Sequence, residues 1–296
     1  MKNVLITGAG SYIGTSFEKW AKEHYGSELS ITTIDTKDDS FRRKDFSIYD
    51  IVYHVAGIAH ADAGHVTNEI KAEYYKVNTD LAIEIAEKSK REGVKQFVFM
   101  SSAIIYGDSA PYGKSKRITR ETEPDTSSFY GDSKLQADLG VQKLSDESFT
   151  VTVLRPPMIY GKESRGNYPM LARIARKIPV FPDVVNERSM LYIENLCEFL
   201  CQVMVRGEGG IFWPQNEKYT KTSEMVRMIA EVRGHKIHVS NRWNWIVGIA
   251  SHFPGKVSVL TNKAFGNLSY DQSMSCYDFE YRVVDFKTSI ERTEGK

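Results

Sequence analysis

Tyr130 and Lys134 stand four residues apart in the string YGDSK, so on a helix they share one face. Ser102 lies upstream, at the end of an apolar run, and a glycine-rich string, TGAGSYIG, occupies residues 7–14. A phenol beside an ammonium can carry a proton. A hydroxyl can orient the oxygen that gives the proton up, and a glycine-rich turn can cradle the pyrophosphate of a dinucleotide. These residue types suit hydride transfer coupled to proton transfer. A free tyrosine titrates near ~10. Lys134 and a positive nicotinamide ring both favour the phenolate, and each pKa unit of depression corresponds to ~1.4 kcal/mol.

The elements needed to position these groups can be read from the patterning. Residues 2–7 (KNVLIT) read as a buried parallel strand, and residues 12–25 place Ile13, Phe17, Trp20 and Ala21 at helical spacing. Strand, glycine turn and helix together present free N–H groups to an anion. A second strand, residues 29–34, ends in Asp35, where a carboxylate can accept hydrogen bonds from the adenosine ribose and repel a 2′-phosphate. This favours NAD over NADP. The following loop is short and charged, which predicts a reduced crossover. Further strands are expected at 50–56, 94–101 and 149–155. Helices are expected at 67–92, with Ile70, Tyr74, Val77, Leu81 and Ile85 on one apolar face, and at 129–144. The alternation predicts an α/β fold, a Rossmann-like doubly wound parallel sheet.

The 296 residues can bury a large core, being 41% hydrophobic and 26% charged. A net charge of +1 gives no sign of nucleic acid or an acidic membrane as partner. No apolar run reaches the length of a membrane span, and the first strand is too short to serve as a signal peptide. Cys197, Cys201 and Cys276 do not form a disulfide framework, and a reducing cytoplasm is the expected compartment. Cys197 and Cys201 read as packing residues of one helix. The string HADAGH at 60–65 offers histidines and an aspartate, but its place after HVAG assigns it to the cofactor pocket, with no metal expected and His60 free to approach nicotinamide or substrate.

Seven strings, TGAGSYIG, HVAG (54–57), VN (77–78), SSAIIYG (101–107), YGDSKLQAD (130–138), LRPPMIYG (154–161) and RSMLYIENL (188–196), run through most of the chain. Together they resemble the extended short-chain dehydrogenase/reductases, in the NAD-dependent epimerase/dehydratase group. Within it they are most similar to bacterial UDP-sugar 4-epimerases and UDP-N-acetylquinovosamine-type 4-ketoreductases. The resemblance implies that Gly8, Ser11, Tyr12, Ile13 and Gly14 line the pyrophosphate of NAD and that Asp35 holds the ribose. It places Asp45 and Phe46 at the adenine, Ala56 and Gly57 beside pyrophosphate and nicotinamide ribose, and Asn78 in support. Ser102, Tyr130 and Lys134 become the catalytic set, while Asn167 and Arg188 contact the substrate's UDP. It also implies a smaller C-terminal substrate lobe, formed by 162–185 and 215–296 against a cofactor domain of 1–161 with a returning segment at 186–214. A homodimer built on the helices at 67–92 and 129–144 would follow. Two positions depart from the pattern: the loop's middle glycine is Ser11, and an asparagine common near the substrate phosphates is Met158.

The same residues serve an epimerase that retains NAD and a 4-ketoreductase that consumes NADH, and a catalytically silent NAD-binding protein is a third reading. Dehydration is disfavoured, because the Asp–Glu pair it needs after the serine is replaced by Ala103, Ile104 and Ile105. Tyr112 and Lys116 repeat the Tyr-x-x-x-Lys spacing, but among Pro and Gly and without the apolar helical face of Leu135, Leu139 and Leu144 that follows Tyr130. The segment RWNWIVGIASHF (242–253) reads as a core helix of the lobe rather than a membrane anchor. From Asp35, NAD(H) is expected to bind more tightly than NADP(H) by about 1–3 kcal/mol, the range of a charged hydrogen bond. Titration of the cofactor-free protein with each tests this, and equal affinities would place Asp35 away from the ribose.

Overall fold

The computed structural model describes residues 1–59, 66–126, 128–253 and 255–295, so HADAGH lies outside the described residues. The chain opens with β1 (Lys2–Thr7), α1 (Tyr12–His24), β2 (Leu29–Ile34), α2 (Ser40–Arg43) and β3 (Ile51–His54). α3 (Asn68–Tyr75) passes through a π turn (Lys76–Asp80) into α4 (Leu81–Arg91). There follow β4 (Gln96–Met100), a 3₁₀ turn (Ala103–Tyr106), β5 (Arg117–Ile118), α5 (Phe129–Gln142) and β6 (Thr150–Leu154). β7 (Met158–Tyr160), α6 (Asn167–Lys177), β8 (Val180–Pro182), β9 (Met190–Tyr192), α7 (Ile193–Arg206) and β10 (Gly210–Phe212) come next. The chain closes with α8 (Thr222–Val232), β11 (His238–Ser240), α9 (Asn244–His252), α10 (Lys256–Phe265), β12 (Ser269–Tyr270) and α11 (Phe286–Glu294).

Six strands form one parallel sheet in the order β10-β6-β4-β3-β1-β2. Successive side chains of a strand point to opposite faces, and the core divides accordingly. Val4, Ile6, Tyr53, Val98 and Leu154 pack with Phe17 and Ala21 of α1 and with Leu196, Leu200 and Val203 of α7. Leu5, Val52, Phe97, Phe99, Val151 and Val153 pack with Ala82, Ile85 and Ala86 of α4 and with Ala137 and Val141 of α5. The expected Rossmann-like, doubly wound sheet is present. The first apolar cluster runs on through Leu171 of α6, Met225 and Val226 of α8 and Ile290 of α11, so the C-terminal elements share a core with the sheet.

β1 lies between β2 and β3, and the direction of winding reverses there, which opens a crevice at the carboxyl ends of β1 and β3. The crossover from β2 to β3 is reduced, as expected, to the single turn of α2. Ser11 caps α1 by accepting a hydrogen bond from the Gly14 N–H at 3.2 Å, and Ser128 caps α5 through the Gly131 N–H at 3.0 Å.

Three details differ from the sequence reading. Ile70 is 38% exposed, because the first two turns of α3 stand clear of the core: residues 66–73 are all exposed, and burial begins at Tyr74. Leu139 is exposed, and α5 instead buries Gly131, Ser133, Lys134, Ala137, Asp138 and Val141, a face of small and charged residues. The segment 242–253 does not form core: α9 buries only Val247.

A buried ion pair allows α5 to dock on such a face. Arg155, just past β6, donates from Nη2 to Asp138 Oδ1 at 2.7 Å and from Nε to Oδ2 at 3.0 Å. Ser101 Oγ donates to the same carboxylate at 2.5 Å, and Gln142 Nε2 donates to Oδ1 at 2.6 Å. Arg155 also donates to the Tyr106 hydroxyl at 2.8 Å, which accepts a second bond from Trp213 Nε1 at 2.9 Å. Removing one partner strands a buried charge. Asp138→Ala is therefore expected to cost about 3–5 kcal/mol in urea unfolding, and the double variant Asp138→Leu/Arg155→Met markedly less.

Candidate active site

Tyr130, Lys134 and Asp138 follow one another at four-residue intervals on α5, so one face carries all three. That face lies along residues 100–104. Lys134 Nζ donates to the Met100 carbonyl at 2.6 Å, and a Cβ on Gly131 would sit 3.0 Å from the Ile104 carbonyl oxygen. Between them is Ser102, whose Oγ accepts from the Ile104 N–H at 3.3 Å and starts the 3₁₀ turn. The structure thus brings Ser102, Tyr130 and Lys134 into one neighbourhood at the end of β4.

The charge states differ from the sequence expectation. Burial, with Tyr74 adding to it, raises the Tyr130 phenol to about 12. Burial lowers Lys134 to about 8, partly opposed by Asp138. The ammonium is directed to a carbonyl and lies 4.6 Å from the centre of the Phe99 ring. The phenol is therefore protonated at neutral pH in the protein alone, and burial outweighs the depression expected from Lys134.

The glycine loop sits at the crevice. Gly8 has φ +126°, and a Cβ there would lie 2.7 Å from the Ala56 nitrogen, so the two backbones meet where a larger residue would not fit. The Val55 and Ala56 N–H groups donate to the Thr7 carbonyl at 3.1 and 2.9 Å. With Gly14 N–H taken by Ser11, the first N–H groups of α1, from Tyr12 and Ile13, have no carbonyl one turn earlier in the helix to bond. The Tyr12 side chain points the other way, into the interior, with its buried hydroxyl close to Gly161.

Asn78 lies in the π turn and is 1% exposed. Its Oδ1 accepts from the Ile58 N–H at 2.8 Å, and its Nδ2 donates to the Ile58 carbonyl at 3.0 Å and to Ser133 Oγ at 3.1 Å. One amide thus ties the loop after β3, which includes Gly57, to α5. Asp35 accepts from the N–H groups of Thr36 and Lys37 through Oδ1, at 2.7 and 3.0 Å. Asp45 is exposed and accepts from Ser47, while Phe46 is fully buried, with its ring in the core and its N–H donating to Glu92 Oε2 at 2.7 Å.

Asn167 and Arg188 line a single cavity with Met158, Leu171, Thr222 and Lys263. Arg188 is 8% exposed and donates to the Lys263 carbonyl. Burial lowers its guanidinium to about 10, and among the described residues no carboxylate lies within ion-pair distance of it. A buried cation without a counter-charge is suited to an anionic ligand.

The profile described as "NAD dependent epimerase/dehydratase family" matches residues 4–212. The chain belongs to this family. It is 27% identical over 251 residues to a UDP-glucose 4-epimerase of Vibrio cholerae, covering 77% of this chain and 75% of that one. It is 29% identical over 215 residues to N-acetyl-alpha-D-glucosaminyl-diphospho-ditrans,octacis-undecaprenol 4-epimerase of Escherichia coli O157:H7, covering 67% of this chain and 62% of that one. The UDP-glucuronic acid 4-epimerase of Bacillus cereus, solved with UDP-glucuronic acid and NAD, superimposes with a TM-score of 0.73. That comparison covers 99% of this chain and 98% of the other at 15% identity, a likeness of fold.

Family membership makes NAD the cofactor, and the crevice fits it: a glycine at positive φ against a second backbone, a helix N-terminus with free N–H groups, and a carboxylate at the end of β2. The sequence reading gave no role to Arg155 or Asp138. The available signal was the four-residue step from Lys134 to Asp138, with an arginine after a buried strand. The second Tyr-x-x-x-Lys is not a helix: Tyr112 sits in a turn, and Lys116 donates to the carbonyls of Tyr106 and Asp108. Tyr130→Phe is expected to slow sugar-dependent reduction of bound NAD by about 10²–10⁴-fold with NAD affinity little changed. Tyr112→Phe should retain most of the rate. Single-turnover nicotinamide absorbance distinguishes them, and a dead Tyr112→Phe would move the proton carrier to the other tyrosine.

Proposed function

We propose that this protein interconverts the C4 epimers of a UDP-hexose or UDP-N-acetylhexosamine through a 4-keto sugar. The observation that carries this reading is the α5 face with Tyr130 and Lys134 against Ser102, next to a crevice suited to NAD. Sequence similarity to 4-epimerases supports it. NAD, when bound, takes up hydride from C4 and returns it. The Tyr130 phenol, its pKa raised in the protein alone, would act as a phenolate once a positive nicotinamide ring stands beside it. It would then accept the C4 hydroxyl proton as the C4–H bond breaks and return that proton when C4 is reduced from its opposite face. No net oxidation results. Ser102 hydrogen-bonds to the same oxygen, and Lys134 holds the charge of the phenolate.

In this reading Gly8, Ser11, Ile13, Gly14, Ala56 and Gly57 border the pyrophosphate and nicotinamide ribose. Tyr12 contributes its N–H and not its ring. Asp35 takes the adenosine ribose, and Asp45 flanks the adenine beside Phe46, whose ring stays in the core. Asn78 holds the loop that carries Gly57. Asn167 and Arg188 contact the substrate diphosphate, and the narrow cavity they line with Met158 widens to admit it. The protein acts as a homodimer through α3, α4 and α5, where Ile70 and Leu139 stand exposed.

The purified protein is incubated with UDP-glucose, UDP-galactose and their N-acetylated forms, and the sugars are separated by chromatography. The expected outcome is a C4 epimer with no added cofactor and no net change in NADH. No epimer, with stoichiometric NADH oxidation on a UDP-4-keto-6-deoxy sugar, would replace this reading with a 4-ketoreductase. Retained NAD without turnover on any of them would make it a silent binding protein.

A further inference from the structure

The helices α9 and α10 form a hairpin whose apolar residues face outward. Trp245 is 62% exposed, Phe253 56% and Ile249 55%, and Trp243, Ile246, Val257, Val259 and Leu260 are exposed beside them. Scattered exposed hydrophobics are ordinary, but a contiguous aromatic and aliphatic patch on paired helices marks an interaction surface. The hairpin is held in place: Asn244 Nδ2 donates to the Asp183 carbonyl at 3.0 Å, and Asn262 Oδ1 accepts from the Tyr112 N–H at 3.0 Å. The Phe265 ring packs on Phe181 at 5.4 Å. The apolar face is therefore presented by an anchored element.

The charge around it is one-sided. Residues 232–270 contain no Asp or Glu, yet include Lys236, Arg242, Lys256 and Lys263, beside Arg233, which is paired with Glu294, in a chain whose net charge is only +1. Lys236 and Arg242 are exposed. Two acidic groups of the loop it is anchored to are already paired, Asp183 with Lys221 and Glu187 with Arg117. We propose that the α9–α10 hairpin docks this protein on an anionic phospholipid surface, with Trp245, Ile249 and Phe253 entering the headgroup boundary and Arg242 and Lys236 meeting lipid phosphates. Tryptophan and phenylalanine on one side with basic residues nearby is the composition of an interfacial helix. Among the described residues no helix is long and apolar enough to cross a membrane, so the contact is peripheral. A second copy of the chain is the competing occupant. A two-fold contact would set a segment that has no acidic residue of its own and exposes Lys236 and Arg242 against itself, which is electrostatically unfavourable. α10 also supplies Lys263 and Ala264 to the wall of the Arg188 cavity, so docking would hold that cavity next to the bilayer. The proposal departs from the sequence expectation of no membrane partner, and it is independent of which sugar chemistry the site performs.

The test is flotation of the full chain with vesicles of phosphatidylcholine alone and of phosphatidylcholine mixed with phosphatidylglycerol. Binding to the mixed vesicles only, weakened by salt, is expected. Ile249→Ser/Phe253→Ser should reduce it at least about tenfold, and Arg242→Glu several-fold. Retained circular dichroism and NAD binding in these variants would show that they fold and that the cofactor site is intact. Quenching of tryptophan fluorescence by brominated lipid in the wild-type protein gives a readout independent of any variant. Absence of binding and of quenching would overturn the proposal. So would a dimer, seen by light scattering, that the double serine variant dissolves while the wild type ignores vesicles, since that would assign the face to a second copy.

Discussion

The Arg155–Asp138 pair determines where α5 can sit. A helix that turns a lysine and an aspartate inward does not dock on a sheet through apolar burial alone. Burying the two charges costs several kcal/mol each unless their hydrogen-bonding capacity is met. Here the carboxylate accepts four bonds from three side chains, and the guanidinium extends the network to Tyr106 and through it to Trp213. Ser101 and Arg155 follow adjacent sheet strands, so the carboxylate reads the ends of both β4 and β6. Because Asp138 is one turn from Lys134 and two from Tyr130, satisfying it also sets the depth and rotation of the proposed proton-transfer groups. Fold stability and site geometry therefore rest on the same contacts.

The site carries cations that the protein leaves partly uncompensated. Lys134 is buried against a carbonyl and an aromatic ring, and Arg188 against a carbonyl. Both are lowered by desolvation. Such groups are costly in the empty protein and become favourable when a negative partner arrives. The phenol shows the converse, held protonated by the same burial.

Elements with short, uninterrupted patterns could be read from the residues. β1 and β2 fall on the expected boundaries, and the reduced crossover followed from a charged loop too short for a helix. The glycine loop, the first helix and the Tyr130 face were legible because each depends on local spacing. Three features were not. Leu139 and Ile70 looked like core positions by periodicity, but the buried face of α5 is chosen by a long-range ion pair, and the first turns of α3 run clear of the core before burial begins at Tyr74. The hairpin at 242–265 has the composition of core, and no local signal tells an apolar helix that finds a partner within the chain from one that does not. The role proposed for Arg188 rests on resemblance, and that no carboxylate among the described residues pairs with it is visible only when the surroundings are assembled.

The π turn at Lys76–Asp80 makes the length of this helix a constraint in itself. It holds one residue more than a regular α-helix would need over the same rise. Deleting a single residue there would let α3 and α4 join as a continuous helix with better backbone geometry. It would also swing Asn78 by about 100°, away from Ile58 and Ser133, and release the loop after β3. Local helix regularity and the position of that loop are thus opposed. Such a segment tolerates substitution at its exposed positions far better than any change in residue count, so insertions and deletions would be selected against here even where side chains are free to drift.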